Sequence, residues 1–150
     1  MSKCLTEPFV ANDVRAYTWK GSGGIELYSH VSDFYSIIRQ EKTKYFLYDN
    51  LLVRYEIVNE LYLFFNLING KLFNITTLQN YKGKLFNKIN VGMHIEEVLK
   101  LEPSFEYDDF EEVYFSPKGI FIETDPITHT VIWISVYIKE LEDDNFIEGN

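Results

Sequence analysis

The sequence predicts an α+β fold: one antiparallel sheet built from two helix-plus-three-strand repeats, with the helices on one face. Two segments have helical spacing, two blocks of three apolar runs are punctuated by turn signals, and the second helix-and-block can be laid over the first. The 150 residues are a one-domain length. The expected organisation is a single domain, 1–150, with repeat 1 over about 23–80 and repeat 2 over about 88–140.

The first helix is expected in "SHVSDFYSIIRQ", where Val31, Phe34, Tyr35 and Ile38 share a face behind a candidate cap at Ser29. The second is expected in "VGMHIEEVLKLEP", where Val91, Ile95, Val98 and Leu99 share a face and Pro103 stops the run. Laying "LYSHVSDFYSII" over "VGMHIEEVLKLE" sets His30 on His94 and Phe34 on Val98. The "KGSGG" cluster before the first helix reads as a turn, because a phosphate loop needs a preceding strand and a GK[ST] ending.

Strands are expected in "LLVRYEIV", "LYLFFNLI" and "KLFNITTL", the last two joined through Asn69-Gly70, a dipeptide whose residues both accept positive φ. The second block is "EEVYFS", "GIFIETD" and "TVIWISVYI". The blocks superpose with Leu61 on Phe121 and, after a one-residue gap, Phe73 on Ile132 and Ile75 on Ile134. With both helices on one side, the opposite sheet face would present rings from "LYLFFNLI" and "VIWISVYI", as interface anchors or as further core.

Charge is unevenly spread. Residues 94–150 carry 15 of the 23 acids and only Lys100, Lys118 and Lys139, whereas residues 1–93 carry 8 acids and 11 bases. Phosphate repulsion opposes a nucleic-acid grip by the acidic half, and a basic protein is the favoured partner, unless the acidity serves solubility alone. The start of the chain lacks the apolar run of a signal peptide, no apolar run is long enough to span a bilayer, and the lone Cys4 admits no internal disulfide. A soluble cytoplasmic protein without a membrane partner is expected.

The acidity peaks in "EYDDFEEVYF", residues 106–115, which sets five carboxylates among four aromatic rings. Carboxylate pairs do acid–base chemistry when a pocket separates their pKa values. Along a strand, however, Asp109 and Glu111 would face one side, and Asp108, Phe110 and Glu112 the other. Two readings remain beside catalysis. Charges along an edge strand deter pairing with other chains. Alternatively Tyr107 and Phe110 anchor a basic partner that Asp108, Asp109, Glu111 and Glu112 steer, with Glu140, Glu142, Asp143 and Asp144 as a second acidic strip. His30, His94 and His129 have no metal-ligand spacing, and nucleophile and dinucleotide motifs are absent. Neither a metal nor a cofactor is expected.

The run "INVGMHIEEVLKLEP", with "VYFSPKGIFIETD" and "TVIWISVYI", resembles the helix-plus-meander module of beta-lactamase inhibitory proteins and of the small outer-membrane assembly lipoprotein. In size, acidity and aromatic content the chain is similar to bacterial toxin-immunity proteins, including those of contact-dependent growth inhibition. That likeness implies a non-enzymatic protein that occludes a basic toxin domain, such as a nuclease. The alternatives are an adaptor or scaffold with a non-toxin partner, and a small-substrate enzyme using carboxylates.

Overall fold

The computed structural model of the chain describes residues 18–19, 25–81, 84–85 and 88–138. Strands β1 (Thr18–Trp19) and β2 (Ile25–Glu26) form a two-stranded ladder. A 3-10 turn at Val31–Phe34 runs into helix α1 (Tyr35–Ile38). Then come β3 (Lys44–Tyr48), β4 (Leu52–Ile57), β5 (Leu61–Asn66) and β6 (Leu72–Thr77). Helix α2 (Ile95–Leu101) precedes β7 (Glu106–Asp108), β8 (Val113–Ser116), β9 (Ile120–Thr124) and β10 (Val131–Tyr137). Strands β3 to β10 make one antiparallel sheet in the order β3-β4-β5-β6-β10-β9-β8-β7. The fold is mostly sheet, with two short helices.

Each helical segment is therefore followed by four strands, not the three expected. The additional strands, β3 and β7, are the two edges of the sheet. Among the described residues each edge strand pairs on one side only.

The two halves close with corresponding backbone bonds. Before α1, Tyr28 N–H donates to Leu72 C=O, Leu72 N–H to Ser29 C=O, and Val31 N–H to Gly70 C=O. Before α2, Gly92 donates to Val131, Val131 to Met93, and Ile95 to His129. Positive φ recurs at the matching places, Tyr28 with Gly92 and Gly70 with His129. The caps match too: His30 and His94 each accept the N–H two residues on, Ser32 and Glu96, at 3.1 Å. The cap of the first segment is thus His30, not Ser29. A ring nitrogen supplies the acceptor usually given by a hydroxyl or carboxylate. At the other end of α2, Glu102 takes φ −140° and ψ 87°, the extended geometry demanded of a residue before proline.

The β5–β6 connection differs from the expected two-residue turn. Gly70 N–H reaches back to Asn66 C=O, the Asn66 side chain accepts from Ile68 N–H at 2.8 Å, and only Gly70 of the Asn-Gly pair has positive φ. The β9–β10 connection repeats this, with His129 N–H to Asp125 C=O and Ile127 N–H to the Asp125 carboxylate at 2.7 Å. Ile57 pairs with Leu61 across its turn as Ser116 does with Ile120, so Leu61 corresponds to the buried Ile120 rather than to Phe121. A slip of one residue moves a side chain to the other face of the sheet.

One face of the sheet carries the core. Leu61, Leu63 and Phe65 alternate inward along β5, flanked by Ile75 on β6, Ile134 and Val136 on β10, and Ile120 and Ile122 on β9. Phe34, Ile95 and Val98 join the same cluster, Phe34 meeting Phe65 edge-to-face at 5.5 Å. On the other face, where β6 meets β10, Asn74, Thr76 and Ser135 hydrogen-bond one another at 2.9–3.1 Å.

Glu102 ties the end of α2 to the β8–β9 turn. Its carboxylate accepts from Ser104 at 2.7 Å and pairs with Lys118 at 3.0 Å. Burial alone would raise its pKa, but Ser104 and the ammonium groups of Lys118 and Lys88 outweigh burial and lower it.

Candidate protein-docking site

Residues 106–115 form the β7–β8 hairpin at one edge of the sheet, with Glu106 opposite Phe115, Tyr107 opposite Tyr114 and Asp108 opposite Val113. The strand alternation expected for residues 109–112 does not occur, because these four residues are the turn itself. Asp108 builds that turn. Its Oδ1 accepts from Phe110 N–H at 2.9 Å and Glu111 N–H at 3.1 Å, and its carbonyl accepts from Glu112 N–H at 2.7 Å. Glu112 closes the loop at φ 57°.

The consequence is a division of labour among the acids. Asp108 is half-buried and committed to the backbone, while Asp109, Glu111 and Glu112 are exposed. Among the described residues none of these three is in an ion pair, and Lys118 is held by Glu102. Phe110 stands at the tip with 82% of its surface exposed. Tyr107 is half exposed, its ring 4.9 Å from that of Tyr114. Its phenol is held above the ordinary value by desolvation and then by the negative charge of Glu112 and Asp109. Six of the expected residues, Tyr107 to Glu112, are thus brought together in one hairpin. Glu140, Glu142, Asp143 and Asp144 lie outside the described residues.

The opposite edge is chemically unlike this one. Every residue of β3 is exposed, including Tyr45 and Leu47 at 64% each. Behind it, the Arg54 guanidinium lies 4.5 Å from the Phe46 ring centre, 5.9 Å from Tyr48 and 5.4 Å from Tyr62. Arg54 pairs with Glu56 at 2.8 Å, while its Nε is buried without a hydrogen-bond partner. The ring-bearing face expected from "LYLFFNLI" is this one, where Tyr62 and Phe64 are half-buried. The signal for β3 was in the sequence, as "KYFLY" ahead of Asp49-Asn50 is a run of strand formers bounded by turn residues.

The histidines serve locally. His30 and His94 cap, and the rings of His94 and His129 meet at 6.2 Å. Among the described residues no group of three or more His, Cys, Asp or Glu side chains could hold a metal ion, and no helix is long and apolar enough to cross a membrane. Comparison with known proteins finds no matching family, no matching curated protein and no matching solved structure.

Proposed function

We propose that this chain is a non-catalytic binding protein that docks a basic protein partner through the β7–β8 hairpin. Its closest functional type would be a cytoplasmic immunity protein that occludes a toxin domain such as a nuclease. The observation that supports this most is the hairpin tip, where Phe110 is 82% exposed among three carboxylates that form no ion pair among the described residues. A large ring held out from an ordered turn is what a partner's pocket can take, and the flanking charges speed encounter with an opposite field. A nuclease presents a cationic groove for phosphate, and these carboxylates would stand where the phosphates lie. An acid–base role for the hairpin acids is disfavoured by their exposure, since such pairs rely on a pocket to separate their pKa values. We further take both helices to lie on the core face, in keeping with Ile37 and Ile38 of α1 packing against the cluster that Ile95 and Val98 of α2 share with the inward residues of β5, β6, β9 and β10.

The test starts with the immobilised protein and a lysate of its source organism at low salt, followed by a salt gradient. A single basic protein should elute late, and its toxic or nuclease activity should be blocked by the soluble chain. Joint Asp109→Asn, Glu111→Gln and Glu112→Gln substitution should slow its association by about tenfold at low salt with little change in dissociation, whereas Phe110→Ser should speed dissociation. An association rate unchanged at low salt would remove the steering role. If nothing is retained, the hairpin is only a protected edge and the proposal fails.

A further inference from the structure

We propose that strand β3 is a homodimerisation edge, pairing antiparallel with β3 of a second copy about a two-fold axis at Phe46. The two edges of this sheet are treated in opposite ways. Edge strands invite pairing with other chains, and proteins blunt them by shortness and by charge. Strand β7 has both devices: it is three residues long, and acids occupy two of those positions and three of the four in its turn. Strand β3 has much less of either, its one charge being Lys44 at its start. It is five residues long, contains no acid, and exposes Tyr45, Phe46, Leu47 and Tyr48 at 41–64%.

The residues of β3 also fit one another. A two-fold axis at Phe46 sets Phe46 against Phe46, Tyr45 against Leu47, Lys44 against Tyr48 and Thr43 against Asp49. No like charges face each other, the apolar positions meet, and each ammonium lies opposite a ring that can accept it. The same operation on β7, about Tyr107, would set Glu106 against Asp108, carboxylate against carboxylate. Self-pairing is therefore permitted at β3 and opposed at β7.

Packing gives the same answer. Tyr45 and Leu47 lie on the core side, opposite Tyr55 and Val53 of β4. Val53 is 1% exposed, yet one strand outward Leu47 is 64% exposed. The apolar face therefore runs to the β3 edge uncovered, and a partner strand contributing its own Tyr45 and Leu47 would continue it. The product is a closed two-fold dimer with a sixteen-stranded sheet. Its two β7–β8 hairpins would stand at opposite ends, about 70 Å apart along the sheet at the usual strand spacing. The dimer is independent of what those hairpins bind.

Sedimentation equilibrium over a concentration series tests this directly. The full chain should fit a monomer–dimer equilibrium, little weakened by salt. Tyr45→Lys with Leu47→Lys sets lysine against lysine in both flanking pairs and should weaken dimerisation by about tenfold or more. Tyr45→Glu with Leu47→Lys makes both pairs Glu–Lys in this register only, and should restore dimerisation. A chain that stays monomeric to its solubility limit overturns the proposal, as does a double-lysine variant that dimerises like the parent. Open-ended oligomers dissolved by salt would mean β3 pairing with the acidic β7 edge of the next copy, and would also overturn it. Should the lysine variant fail to fold, hydrogen exchange of the unaltered chain decides. Protection of the β3 amides must rise with protein concentration, and concentration-independent exchange there refutes the dimer.

Discussion

Gly70 shows how much one hydrogen atom decides. A Cβ built on it would lie 2.5 Å from His30 Nε2, and its φ of 73° is costly for any side chain. In the second half, the corresponding residue is His129, also at positive φ, whose ring stands 6.2 Å from that of the second cap, His94. The two halves solve one backbone problem in two ways: the first leaves the space to the capping ring, and the second fills it with another ring. Gly70→Ala should therefore cost roughly 1–3 kcal/mol, combining left-handed strain with displacement of the His30 cap. His30→Ser in the same chain removes the clash while a hydroxyl keeps the cap, and should recover part of the loss. Thermal or urea unfolding of the three proteins checks this. An additive double mutant would mean that the ring and the missing Cβ do not interact.

At the scale of elements, turns are where the chain states its intentions most locally. The β7–β8 turn depends on Asp108, and the β9–β10 turn on Asp125, whose carboxyl is held below its ordinary range by the N–H groups of Thr128 and Ile127. Structure and docking can be separated at Asp108, because an amide oxygen accepts the same two bonds. Asp108→Asn should leave stability nearly unchanged, while Asp108→Ala should lose about 1 kcal/mol and loosen Phe110 and Glu111. Amide exchange at residues 110 and 111 is the readout, and equal protection in both variants would show the turn to be set by other contacts. Six of the strands were legible in the sequence, because Leu61, Leu63 and Phe65 alternate on a half-buried sheet and "SPKG" breaks the chain. Strand β3 escaped because "KYFLY", although a run of strand formers, has no apolar–polar alternation, and the short β7 because its acids run on unbroken into Asp109, Glu111 and Glu112, so that strand and turn read as one edge strand. The hairpin acids were legible as a cluster, but the role of Asp108 depends on a loop conformation that composition does not encode.

At the scale of the whole molecule, the two four-stranded meanders meet along a single ladder between β6 and β10. It consists of the pairs Thr77–Ile134, Thr76–Ser135, Ile75–Val136 and Asn74–Tyr137. On the core side Ile75 and Val136 are almost wholly buried, and on the other side the Asn74, Thr76 and Ser135 trio fixes the register with side-chain bonds. Both halves contribute to one hydrophobic cluster, so neither meander keeps a covered apolar face without the other. The chain should therefore unfold as one unit even when the seam is damaged. Ile75→Ala leaves a cavity at the joint and should cost about 2–5 kcal/mol. The steepness of the urea transition should stay the same, since the surface exposed on unfolding is little altered. The β-signal in far-ultraviolet circular dichroism and the tryptophan fluorescence, to which Trp133 on β10 contributes, should lose amplitude at one urea concentration. Two separated transitions in the variant would show that each meander holds together alone, and that the seam joins two units already stable apart.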